Sequence, residues 1–188
     1  MILKKLAITA LLTLCTLLNT VQADENNPVV VMTTSAGVIE LELFAEQAPQ
    51  SVENFLMYIN KGFYKGTIFH RVIDNFMIQA GGFTTEMERK EAFPPIMNES
   101  MNGISNDKGT IAMARTNDPD SATSQFFINL KNNDFLNVQG RKAGYAVFGK
   151  VVSGIEIVEQ IGKVSTGVQG PYRDVPKEAI VIQDVVVK

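Results

Sequence analysis

Residues 69–82 read Phe69-His70-Arg71-Val72-Ile73-Asp74-Asn75-Phe76-Met77-Ile78-Gln79-Ala80-Gly81-Gly82. One permanently charged guanidinium stands among large apolar side chains, and an amide follows at strand-like spacing. Arginine does not deprotonate in a protein, so Arg71 is no general base. It can aim fixed N–H donors at a ligand oxygen or nitrogen inside an apolar pocket, where such bonds are strong. A site of that type suits chemistry in which no covalent bond is made or broken.

Other chemistries are poorly provided for. His70 is the single histidine of the chain, which excludes a multi-histidine metal site or a histidine relay. Neighbours in a regular strand face opposite ways, so with Arg71 toward a ligand His70 is expected to face away and serve structure. Ser124 carries no nucleophile-elbow pattern. The one cysteine, Cys15, lies in an N-terminal apolar run. No cofactor or metal is called for.

That run belongs to a leader. Lys4 and Lys5 precede apolar residues 6–18, and residues 19–23 end in Val21-Gln22-Ala23. This three-part pattern reads as a cleavable secretory signal over residues 1–23, in preference to a buried N-terminal element or a membrane span. A lipoprotein signal is rejected because bulky Leu14 precedes Cys15 and more apolar chain follows. Residues 24–188 then form a single domain without cysteine, which excludes disulfides, thiol chemistry and thiolate metal sites. The chain has 17 basic and 20 acidic residues. Loss of Lys4 and Lys5 leaves 15 against 20, a net charge of −5. With no basic cluster, nucleic acid and anionic membranes are poor partners. Nothing signals an oligomer, so a monomer is expected.

The elements that must position Arg71 are mostly strands. Residues 29–32 and 38–44 form a strand pair around a Ser35-Ala36-Gly37 turn, with Ile39, Leu41 and Leu43 alternating with Glu40 and Glu42. Residues 49–60 place Val52, Phe55, Leu56 and Ile59 at helical spacing behind Pro49. Short apolar runs fill residues 66–82. Residues 84–107, with Pro94-Pro95, read as a long surface loop, and its charged run 86–91 as solvated. Residues 110–114, 125–130, 145–151 and 179–187 are strand-like, and Asp118-Pro119-Asp120-Ser121 is a surface turn. Ser153 and Glu156 suggest a capping box for a second helix through about Ile161. Many short strands with two helices predict a mostly β fold, a closed antiparallel barrel.

The chain resembles the cyclophilin family of peptidyl-prolyl cis/trans isomerases, especially its exported Gram-negative bacterial members. The resemblance spans residues 29–187. It rests on the 69–82 stretch, on Ser124-Gln125-Phe126-Phe127-Ile128 preceded by Gly109-Thr110-Ile111-Ala112-Met113-Ala114, and on Tyr145-Ala146-Val147-Phe148-Gly149-Lys150-Val151. It implies an eight-stranded closed antiparallel β-barrel capped by two α-helices. It also implies isomerisation of X-Pro bonds in proline-containing polypeptides folding outside the cytoplasm, in a periplasm. The alternative on the same fold is a non-catalytic, chaperone-like binder of proline-containing segments.

By resemblance, Arg71 is the catalytic arginine, and Phe76, Met77, Phe127 and Leu136 are the walls of a proline pocket. Gln79 falls on a glutamine that supports the arginine and contacts substrate backbone. Ala114 and Gln125 match further groove positions. Three residues depart from the best-known eukaryotic members: Phe135 replaces a tryptophan, Tyr145 a histidine and Arg115 an asparagine. Phe135 has no indole N–H, so cyclosporin is expected to bind weakly. Tyr145 can still border the pocket, and Arg115 adds bulk and charge to the groove.

Overall fold

A computed structural model describes residues 27–188, so the expected leader lies outside the described residues. The chain order is β1 (Val29–Thr34), β2 (Gly37–Leu43), α1 (Pro49–Asn60), β3 (Phe69–Ile73), β4 (Met77–Ala80), β5 (Thr110–Met113), β6 (Phe126–Asn129), β7 (Val147–Ser153), α2 (Ile155–Gly162), β8 (Thr166–Gln169), β9 (Tyr172–Pro176) and β10 (Ile182–Val187). Eight strands make one antiparallel sheet, ordered β10-β1-β2-β7-β5-β6-β4-β3. The remaining two, β8 and β9, form a separate hairpin that the sequence patterns had not indicated. Among the described residues no helix is long and apolar enough to cross a membrane.

The alternation in β1 and β2 buries Val30, Met32, Ile39, Leu41 and Leu43 on one face. The helices close over the same core. Helix α1 contributes Val52, Phe55, Tyr58 and Ile59, and α2 contributes Val158 and Ile161. Phe55 is the hub, with its ring 5.1 Å from Tyr64, 5.5 Å from Phe126 and 5.3 Å from Phe148. A second, smaller apolar cluster contains Met77, Ala112, Phe127, Leu136 and Val147. Two cores thus use the two faces of the same strands: Ile78, Ile111, Phe126 and Ile128 feed the larger, their neighbours the smaller.

Two expectations change. Residues 84–107 are irregular, with a 3-10 turn at Ser100–Asn102, but the segment is a strut as well as a surface loop. The Glu99 carboxylate accepts the Gln50 N–H at 2.9 Å and the Ser51 N–H and O–H at 2.7 Å, which satisfies the otherwise unpaired start of α1. The capping box at Ser153 does not form. Ser153 ends β7, and the residue preceding α2 is Gly154, left-handed at φ 82°, with no side-chain cap. A Cβ at Gly154 would lie 2.3 Å from the Val38 carbonyl, so only glycine lets β7 turn into the helix against β2. Ser153→Ala is therefore expected to change stability by less than about 0.5 kcal/mol. Gly154→Ala should cost more than about 2 kcal/mol. Urea unfolding midpoints of the two variants check the contrast.

Candidate functional site

Arg71 owes its position to an irregularity in β3. Phe69 pairs with Ala80, but Arg71 pairs with Gln79, so one extra residue, His70, is inserted between the two pairs. This β-bulge changes the phase of the strand. Phe69 and Val72 belong to the main core, whereas Arg71 is half-exposed and Ile73 joins the smaller cluster. Beyond Arg71 the pairing runs on across the sheet, with Gln79 opposite Phe127, Phe127 opposite Ala112 and Ala112 opposite Val147. A single row of side chains thus crosses five strands, guanidinium at one end and apolar groups at the other.

Above this row is a cavity of about 120 Å³. Arg71, Gln79 and Arg115 supply its polar lining, and Phe76, Met77, Ala114, Phe127, Leu136 and Tyr145 its apolar lining. Ligand sites for drug-sized molecules run to roughly 300–1,000 Å³, so this one suits a single small ring. Nine of the eleven residues expected from sequence meet here. The other two are close by. Phe135 is 57% exposed and stacks on Phe76 at 5.6 Å, forming the rim. Gln125 lines an adjoining cavity of about 450 Å³ that shares Arg71, Gln79, Ala114 and Arg115 with the first. Gly82 makes room for Gln125, because a Cβ there would lie 2.6 Å from its side chain.

The polar groups are arranged differently from one of the expectations. Gln79 Nε2 donates to Gln125 Oε1 at 2.9 Å, so its amide is bonded to Gln125 and Arg71 is supported from elsewhere. The Arg71 partner is Asp174 of β9, with Nε 3.8 Å from Oδ2. Arg115 lines both cavities with its guanidinium tied down. Its guanidinium lies over the Tyr145 ring, 4.5 Å from the centroid, and donates to the carbonyls of Gly144, Thr116 and Ala143. Tyr145 in turn meets Phe127 edge-on at 5.6 Å.

Four asparagines that the sequence patterns did not single out hold the pocket from below. Asn129 Nδ2 donates to Thr110 Oγ1 at 2.9 Å, and Asn133 Nδ2 donates to Asn129 Oδ1 at 2.8 Å and to the Phe76 carbonyl at 2.9 Å. Asn106 donates from its backbone N–H to Asn137 Oδ1 at 2.7 Å and from Nδ2 to the Tyr145 carbonyl at 3.2 Å. This network ties the Phe76 turn, the Asp134–Leu136 turn and the Tyr145 loop together. Isolated asparagines, three in loops and one at the end of β6, carry no signal of this until the fold joins them. Among the described residues no group of three or more metal-ligating side chains occurs.

Comparison with known proteins agrees with the geometry. Residues 29–187 match the family model described as cyclophilin type peptidyl-prolyl cis-trans isomerase/CLD. The chain is 57% identical to peptidyl-prolyl cis-trans isomerase A of Dickeya dadantii, over 82% of this chain and 81% of that protein. It is 53% identical to a peptidyl-prolyl cis-trans isomerase of Acinetobacter baylyi, over 86% of each. The crystal structure of a Cryptosporidium parvum cyclophilin type peptidyl-prolyl cis-trans isomerase in the presence of the dipeptide Ala-Pro is similar, with TM-score 0.71 and 28% identity. That match covers 85% of this chain and 98% of the other.

His70 corrects a further expectation. The bulge breaks the alternation, and His70 lines the larger cavity beside Arg71. It is only 5% exposed, its ring lies 4.6 Å from that of Phe83, and its Nδ1 has no hydrogen-bond partner. Burial lowers its pKa to about 4, against smaller upward contributions from the Ile68 backbone and Gln125, with the Arg71 charge adding to the depression. A histidine neutral when folded leaves the unfolded chain to take up the proton first. Its contribution to stability is therefore complete above the unfolded pKa of about 6.5 and is lost as pH falls toward about 4, a change of roughly 3 kcal/mol. Urea melts between pH 7 and pH 4 should show this loss, and His70→Phe should flatten the profile in that window.

Proposed function

The chain belongs to the cyclophilin-type peptidyl-prolyl cis-trans isomerase family, and from that premise we propose how its own residues accelerate isomerisation of X-Pro bonds. The observation that carries this reading is a guanidinium sharing with apolar side chains a cavity the size of one small ring. The prolyl ring enters between Phe76, Met77, Phe127 and Leu136. Arg71 then lies beside the prolyl amide.

Rotation about that bond breaks amide resonance against a barrier of ~18–20 kcal/mol. As the bond twists, the proline nitrogen becomes pyramidal and regains a lone pair. An N–H donor held there stabilises the twisted amide and not the planar one, the condition for lowering the barrier. The apolar walls strip water from the amide, and because the twisted form is less polar, desolvation favours it too. Raising a rate near ~0.01 s⁻¹ to ~10³ s⁻¹ requires about 7 kcal/mol. One charge-assisted hydrogen bond supplies roughly 1.5–3 kcal/mol of this. Desolvation and anchoring of the peptide on either side of proline supply the remainder, the latter through Gln79, Gln125, Ala114 and Arg115 along the adjoining cavity.

Three finer readings accompany this one. The sheet is read as a closed barrel. Its edge strands β3 and β10 approach through the Ile68–Val181 bridge and through Gly66 N–H to Ile182 O, Ile182 N–H to Thr67 O and Phe69 N–H to Ile180 O, which support that reading. Residues 1–23 are read as a signal that exports the protein to a periplasm, with folding exported chains as its substrates. Phe135, which has no N–H donor, is read as weakening cyclosporin.

The test is cis/trans exchange of a short alanyl-prolyl peptide followed by NMR. Wild type should accelerate exchange, and Arg71→Ala should lose about two orders of magnitude, or about 2.7 kcal/mol of transition-state stabilisation. Peptide binding without faster exchange would instead favour the non-catalytic binder.

A further inference from the structure

Strand β9 of the β8–β9 hairpin packs beside β3. Tyr172 at the start of β9 meets Phe83 edge-on at 5.0 Å, and Phe83 packs on His70 at 4.6 Å. Two residues along, Asp174 brings its carboxylate to Arg71. Asp174 does so from a left-handed backbone, φ 61°, followed by buried Val175 and Pro176 that anchor the strand. Only three non-glycine residues among those described have positive φ, and Asp174 is the one that faces the arginine. Such a conformation costs free energy at a residue other than glycine and persists where its surroundings enforce it.

Arg71 needs such a neighbour. Among the described residues its side chain makes no hydrogen bond, and Asp174 is its one ion-pair partner. Gln79, the other candidate to steady it, is bonded to Gln125. An arginine otherwise unconstrained samples many rotamers, whereas a donor that stabilises a transition state has to be aimed beforehand. At 3.8 Å the contact is an ion pair and not a hydrogen bond, and it engages Nε, the inner edge of the guanidinium. The terminal nitrogens are left for the ligand.

We propose that Asp174 is a positioning residue, through which the β8–β9 hairpin holds the Arg71 guanidinium toward the prolyl amide. This rests on the isomerase reading and adds a second element to its active site. Both side chains are about two-fifths exposed, so the pair is screened and its effect is modest.

Two variants separate positioning from structure. Asp174→Asn keeps the shape and tolerates the left-handed backbone, but removes the charge. Asp174→Gly relieves the backbone strain and removes the side chain, so the fold is not weakened. Each should lower exchange of a saturating alanyl-prolyl peptide about three- to fivefold, with the melting temperature unchanged or raised in Asp174→Gly. The difference between wild type and Asp174→Asn should shrink in 1 M NaCl, and Asp174→Asn should have no further effect in an Arg71→Ala background. Wild-type exchange in both variants, or a gain, would overturn the proposal, as would a loss that tracks melting temperature alone. If wild type itself proves inactive, the isomerase reading fails separately, and the pair is read from the Arg71 Nε–H NMR signal. A signal unchanged in Asp174→Asn would then overturn the positioning role, and faster solvent exchange of that proton would sustain it.

Discussion

The extra residue in β3 is the constraint on which the site depends. Phe69 must enter the main core, and strict alternation would carry Arg71 in after it, placing a guanidinium that cannot lose its proton among Phe55, Tyr64 and Phe126. Burying an unpaired charge in that way costs more than a domain of this size can spare. The bulge at His70 resolves the conflict by letting Phe69 and Val72 face inward while Arg71 faces out. The inserted imidazole is buried against Phe83, and that burial favours its neutral form.

With the phase set, the rest is support at increasing distance. Gln79, Phe127, Ala112 and Val147 continue the row across the sheet, so the cavity floor is as rigid as the strand pairing beneath it. The smaller apolar cluster supplies the pocket's own walls. The asparagine network fixes the turns that carry Phe76, Leu136 and Tyr145, and it is built from directional bonds to backbone carbonyls. Apolar contacts alone would hold these irregular segments less specifically, because they do not select one backbone conformation.

The pocket was more legible in the sequence than its geometry. Strand periods in residues 38–44 and the helical spacing in 49–60 reflect burial, which acts on each residue locally, and they map onto β2 and α1. The pocket residues were found through the family signatures around Arg71, Phe127 and Tyr145. What escaped is what depends on a second segment. A bulge shows only in the pairing of β3 with β4, so strict alternation along the single strand misplaces His70. Ser153 and Glu156 have capping-box spacing, yet a strand running to Ser153 and a left-handed Gly154 override it. The polar sequence of residues 166–176 hides the β8–β9 hairpin, and Asn106, Asn133 and Asn137 look like ordinary loop formers until the chain brings them to Asn129 at the end of β6.

The pairing of β1 with β10 has a consequence of another kind. Val30 lies opposite Val187, so the first strand of the sheet finds one of its two partners at the far end of the chain. No part of that ladder can form while β10 is still being synthesised. Closing a loop this long is entropically slow, and until it happens the inner residues of β1, Val30 and Met32, have one flank without its partner strand. The chain thus carries a late folding step that its topology sets. In the interval β1 is an open sheet edge, exposed to pairing with other chains.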